Sequence, residues 1–156
     1  MRIPERLMPL ILDALHDHGI LDGSIEMMAG WIYTESAFDQ WAVRYEPAFE
    51  RRYITKKKFP DISGTERKMR SMSWGLLQIM GQVAREYAYT PTYLSELLDP
   101  RTNIDLAATI LKKNYNKTGC WEGALAAYNG GLGGNRKPPY RNQFYVNKVI
   151  HNAEMF

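Results

Sequence analysis

Apolar residues recur at three- and four-residue intervals along most of this chain, a spacing that places them on one face of successive helices. Leu7, Leu10, Ile11, Ala14 and Leu15 predict a first helix, with Pro4 in its opening turn and Gly19 near its end. Ile25, Met28, Ala29, Ile32 and Ser36 predict a second, capped by Asp22 or Ser24 and ending close to Ser36. Residues 37–73 are the least regular part, with short helices expected over 48–53 and 65–72. Ile79, Val83, Ala84 and Tyr87 predict a helix running from Gly75 to about Tyr89. Pro91 opens a turn or short helix with Tyr93, Leu94, Leu97 and Leu98, and Asp99-Pro100 punctuates it. Ile104, Leu106, Ala107, Ile110 and Leu111 mark a strong helix to about Gly119. Another over 121–128 stops at the breaker cluster Asn129-Gly130-Gly131-Leu132-Gly133-Gly134, and the last spans about 142–153. The expected fold is mostly α, one compact domain over 1–156 without repeats or linkers.

One position breaks the pattern. Glu35 falls beside Met28 and near Trp31 on the helical wheel, at the edge of the buried stripe and near the helix end. Partial desolvation and the negative end of the macrodipole both raise a carboxyl's pKa. An acid kept protonated near neutral pH can donate its proton to a leaving group. Taken alone, Glu35 reads more readily as a solvated helix-end carboxylate bonded to a nearby Arg.

Composition narrows the field modestly. With 156 residues, 45% hydrophobic and 24% charged, the chain can enclose a single real core. Ten Tyr and four Trp suit either an aromatic core or a carbohydrate cleft. The net charge of +3 selects no partner. The basic run Lys56-Lys57-Lys58, preceded by Arg51 and Arg52, is expected to be a solvated loop, and no nucleic-acid motif accompanies it. The lone Cys120 excludes an intramolecular disulfide and reads as a packing residue, and His16, His18 and His151 have no metal-ligand spacing. No metal or organic cofactor is expected. The N-terminal stretch has no apolar signal region and no run long enough to cross a bilayer.

Three separated segments then line up: Glu35-Ser36-Ala37-Phe38, Ser73-Trp74-Gly75-Leu76-Leu77-Gln78-Ile79, and Ala127-Tyr128-Asn129-Gly130-Gly131. With Asp99-Pro100, Asn103-Ile104, Leu111 and Tyr145-Val146, they resemble the lytic transglycosylase family with the soluble-transglycosylase (SLT) catalytic domain, a lysozyme-like fold related to goose-type lysozymes. The resemblance covers roughly residues 20–150. It implies that Glu35 is the catalytic acid and base, acting on peptidoglycan glycan strands between N-acetylmuramic acid and N-acetylglucosamine. The family's internal nucleophile, the muramic C6 hydroxyl, closes a 1,6-anhydro ring, so no second carboxylate is required, unlike the usual glycosidase pair. It further implies that Gln78 lines the cleft and Gly75 lets backbone approach substrate or helix. Ser36 and Ser73 match motif serines that can orient Glu35, although Ser73 can equally cap a helix. Tyr128 matches the tyrosine near the acid, with a hydroxyl that can bond Glu35. Asn129 can be a structural helix terminator, and Tyr145 is a weaker candidate for the cleft wall.

The departure from the family pattern is the insert over about 39–72, which separates Glu35 from Gly75 by forty positions. Its Arg44-Tyr45-Glu46-Pro47 cluster offers Glu46 as a second carboxylate with Arg44 as its partner or as a binder of peptide-stem carboxylates. A structural pair is the equal alternative. Two rivals follow: a hydrolytic muramidase in which Glu46 or Asp39 activates water, and a catalytically silent wall-binding protein. A monomer acting on the bacterial cell wall is expected, delivered by a phage lysis system or virion or by specialised bacterial secretion.

Overall fold

The computed structural model describes residues 1–55 and 57–156. Of the basic run, Lys56 lies outside the described residues. Among those residues there are eight α-helices: α1 (Met8–His18), α2 (Ile25–Ser36), α3 (Pro47–Tyr53), α4 (Gly64–Arg70), α5 (Gly81–Glu86), α6 (Pro100–Thr118), α7 (Trp121–Gly130) and α8 (Gln143–Ala153). The mostly helical expectation holds, as do the predicted spans of α1, α2 and α6–α8 to within a few residues. These helices each bury one face in a shared core that includes Leu7, Ile11, Met28, Trp31, Ile32, Ile104, Leu111, Leu125 and Val146. No described helix is long and apolar enough to cross a membrane.

Local chemistry sets the helix ends. Ser24 caps α2 by accepting a hydrogen bond from the Met27 amide at 3.1 Å, and Asp99 caps α6 through the Thr102 amide at 2.8 Å. Helix α2 ends on two consecutive residues in the left-handed region, Ala37 (φ 52°) and Phe38 (φ 66°). Such backbone is unfavourable for residues with a Cβ. Burial of Phe38 offsets the cost: its ring packs against Phe156 at 5.5 Å and Tyr33 at 5.9 Å between centroids.

Over residues 37–80 the two short helices expected appear as α3 and α4, but the strands were not expected. The region contains a three-stranded antiparallel sheet ordered β1 (Val43–Tyr45), β2 (Met72–Trp74), β3 (Ile79–Met80). Met72, expected at the end of a short helix, lies in β2. The helix expected over 75–89 is a tight turn, a strand and the shorter α5. In the register, Arg44 pairs with Ser73 and Ser73 with Met80, so these three share one face of the sheet.

The turn between β2 and β3 is held from outside by Asn103 of α6. Its buried amide donates to the Trp74 and Leu97 carbonyls, each at 2.8 Å, and its carbonyl oxygen accepts from the Leu77 amide at 2.8 Å. Gly75, at φ 72°, lies directly against this side chain. A Cβ there would come within 2.6 Å of Asn103 Nδ2 and 2.8 Å of the Leu97 carbonyl oxygen. Gly75 therefore serves the fit between turn and α6.

Candidate active site

The apolar face of α2 carries Glu35 to the edge of the core, since Trp31 and Ile32, four and three residues earlier, are fully buried. Opposite, α8 packs close because residue 30 is glycine. A Cβ there would meet the Ala153 amide nitrogen at 2.5 Å and the Val149 carbonyl at 2.8 Å. This approach, latched by a 2.9 Å bond from Asn152 Nδ2 to Thr34 Oγ1, brings Tyr145 over Glu35. The Tyr145 hydroxyl donates to Glu35 Oε1 and accepts from Trp31 Nε1 at 3.1 Å. Three groups on two helices thus form one chain of hydrogen bonds ending on the carboxylate.

Burial pushes the Glu35 pKa from 4.5 to about 7. The Tyr145 hydrogen bond and the charges of Arg44 and Lys148 oppose the rise without cancelling it. Burial, together with the charge of Glu35, holds the hydroxyls of Tyr128 and Tyr145 well above the usual phenol range. Both tyrosines therefore remain proton donors in hydrogen bonds at neutral pH. A half-ionised carboxylic acid at pH 7 can both give and take a proton.

Glu35 opens into a cleft of about 620 Å³. Its walls include Arg44 and Ser73 from the sheet, Gln78, Tyr128 and Asn129, with Glu46 and Phe49 from the insert. A second cavity, about 550 Å³ and bordered by Leu21, Tyr115 and Trp121, shares no residue with it.

Several expected contacts are redistributed. Tyr128 lines the cleft, but its hydroxyl donates to the Leu77 carbonyl at 2.6 Å, and Tyr145 is the partner of Glu35. Tyr128 supports the site edge-on, its ring 4.8 Å from that of Trp31. Neither serine bonds Glu35. Ser36 donates to the Leu76 carbonyl at 2.8 Å and pins α2 to the turn, while Ser73 donates to Gln78 Oε1 at 2.8 Å. Gln78 in turn donates to the carbonyls of Gly75 (2.9 Å) and Ala42 (3.1 Å), which uses both amide hydrogens. What it retains for a ligand is acceptor capacity on its oxygen. Asn129 remains helical, because α7 continues to Gly130. Its side-chain oxygen accepts from Asn142 at 2.8 Å, tying the end of α7 to the residue that precedes α8.

In the insert, Arg44 Nε donates to Glu46 Oε1 at 2.6 Å within the cleft wall. Asp39 lies apart, its carboxylate accepting from the Trp41 amide at 2.9 Å in a local turn. Sequence reasoning missed Trp31 as part of the hydrogen-bond chain, although its place one turn before Glu35 on the same face was the available signal. It also missed Phe49, Tyr53, Asn114 and Lys117 as cleft residues. None belongs to the three matching segments.

Residues 23–149 match the family model described as the Transglycosylase SLT domain. The chain belongs to that family. No curated protein sequence matches the chain. The Transglycosylase SLT domain assignment carries with it a lysozyme-like fold and, in general terms, an enzyme of the lytic transglycosylase type that acts on peptidoglycan. The whole insert, with β1, α3 and α4, lies inside the matched span, between the helix that carries Glu35 and the turn that carries Gln78.

Proposed function

We propose that this Transglycosylase SLT domain cleaves the β-1,4 bond between N-acetylmuramic acid and N-acetylglucosamine, with Glu35 as sole acid and base and a 1,6-anhydro muropeptide as product. The supporting observation is Glu35 itself, a part-buried carboxyl with its pKa raised to about 7, hydrogen-bonded by Tyr145 and open to the cleft. In the first step, protonated Glu35 gives its proton to the glycosidic oxygen as the C1–O bond breaks, so N-acetylglucosamine leaves with a free hydroxyl. In the second, the muramic C6 oxygen bonds to C1 while its proton passes to the Glu35 carboxylate. The acid is regenerated and no water is consumed. A pKa near the working pH suits a group that must serve both steps.

One observation favours a second reading. Glu46 lines the same cleft, so a hydrolytic muramidase in which Glu46 activates water is the rival. Mass spectrometry of muropeptides released from purified sacculi separates the two. Anhydro-muramyl ends from the native enzyme, retained by a Glu46→Gln variant, support the lyase reading. Reducing ends that disappear in Glu46→Gln would replace it with hydrolysis. The setting we assign is wall degradation by a phage lysis system or virion. In that setting, added enzyme clears permeabilised cells and spares intact ones.

A further inference from the structure

Helix α3, like α4, buries no residue, yet it carries two aromatic side chains one turn apart. Phe49 and Tyr53 pack against each other at 4.8 Å between centroids with a 49° tilt, and both line the Glu35 cleft. Tyr53 remains 40% exposed. Aromatic rings in a helix of this size ordinarily offset their exposure by entering a core. Here they face the substrate groove instead.

The helix is held rigidly enough to present them. Glu50 accepts from Lys68 Nζ at 2.7 Å and from the Tyr45 hydroxyl, which ties α3 to α4 and β1. These hydrogen bonds, from Lys68 first and then Tyr45, keep the Glu50 carboxyl below its ordinary range, so the tie persists at neutral pH. From α6, Asn114 and Lys117 border the same cleft. Flat rings with an amide and an ammonium group around one groove match a pyranose, whose C–H face stacks on rings while its acetamido and hydroxyl groups seek polar partners.

We propose that the α3 arm is a glycan-binding subsite, in which Phe49 and Tyr53 stack an N-acetylhexosamine unit of the strand beyond the scissile bond. The proposal rests on the peptidoglycan reading above. It assigns the insert a job in gripping extended strands, so oligosaccharides that reach the arm bind more tightly than short fragments confined to Glu35.

The test uses binding alone, in the full chain carrying Glu35→Gln so that no substrate is consumed. The probes are chitohexaose and stem-free glycan strands, titrated by calorimetry. Adding Phe49→Ala and Tyr53→Ala is expected to weaken binding of both probes about tenfold. The melting temperature should stay within about 2 °C, because the helix contributes nothing to the core. The ring-preserving pair Phe49→Tyr and Tyr53→Phe is expected to bind like the parent. Unchanged affinity in the double alanine variant overturns the proposal, as does loss of binding in the ring-preserving pair. Reducing ends in the muropeptide analysis would overturn the lyase mechanism and leave the subsite standing, so the two failures are distinguishable.

Discussion

Replacing Glu35 by Gln should stabilise the protein, and only where the acid would otherwise be ionised. A carboxyl whose folded-state pKa rises from 4.5 to about 7 carries a penalty that is absent below pH 4.5. The penalty grows between pH 4.5 and 7, where the folded state holds the proton more tightly than the unfolded chain, and it is complete above pH 7. At about 1.4 kcal/mol per pH unit the full penalty is about 3 kcal/mol. The amide of the Glu35→Gln variant would retain an oxygen for the Tyr145 hydroxyl and would not titrate. The advantage of Glu35→Gln over the native chain should therefore grow by about 3 kcal/mol between about pH 4 and about pH 9, equivalent to about 6–12 °C in melting temperature for a chain of this size. Urea unfolding of both proteins across that range is the assay, and taking the difference cancels contributions common to both. Parallel stability curves would refute the reasoning, because a carboxyl with an ordinary acidity carries no such penalty. The same variant should lose wall-clearing activity, which makes the exchange of stability for chemistry directly visible.

Tyr145→Phe removes the hydrogen bond that opposes the rise at Glu35 and leaves Trp31 Nε1 without its acceptor. The alkaline limb of the pH–rate profile should move to higher pH, and stability should fall by about 1–3 kcal/mol; a limb that moves downward would contradict the assigned geometry. Gly75→Ala forces a Cβ into Asn103 and the Leu97 carbonyl at a positive φ, and should cost about 2 kcal/mol or more in denaturant unfolding. A near-neutral result would mean that the turn is not held by α6.

The helices that bury one continuous face were legible as sequence, because a single periodicity specifies both their type and their inward side. The sheet was not. Strands of two or three residues are too short to show alternation, and all three residues of β1 are exposed. Ile79 fitted a helical spacing with Val83 and Tyr87 but belongs to β3, and the helix begins only at Gly81. Glu35 could be singled out because it interrupts an apolar stripe. Which tyrosine reaches it could not, since Tyr128 and Tyr145 are both aromatic and both adjoin Trp31. The choice is decided by how closely α8 approaches Gly30, a tertiary fact. Phe49 and Tyr53 escaped notice because aromatic residues one helical turn apart normally signal a buried face.

The aromatic trio of Tyr33, Phe38 and Phe156 gives the last of these rings an unexpected duty. Phe156 meets both other rings, so it acts as a doorstop behind the abrupt reversal that follows the acid-bearing helix. Truncating that side chain with Phe156→Ala would disturb the reaction centre from a remote stretch of the polypeptide.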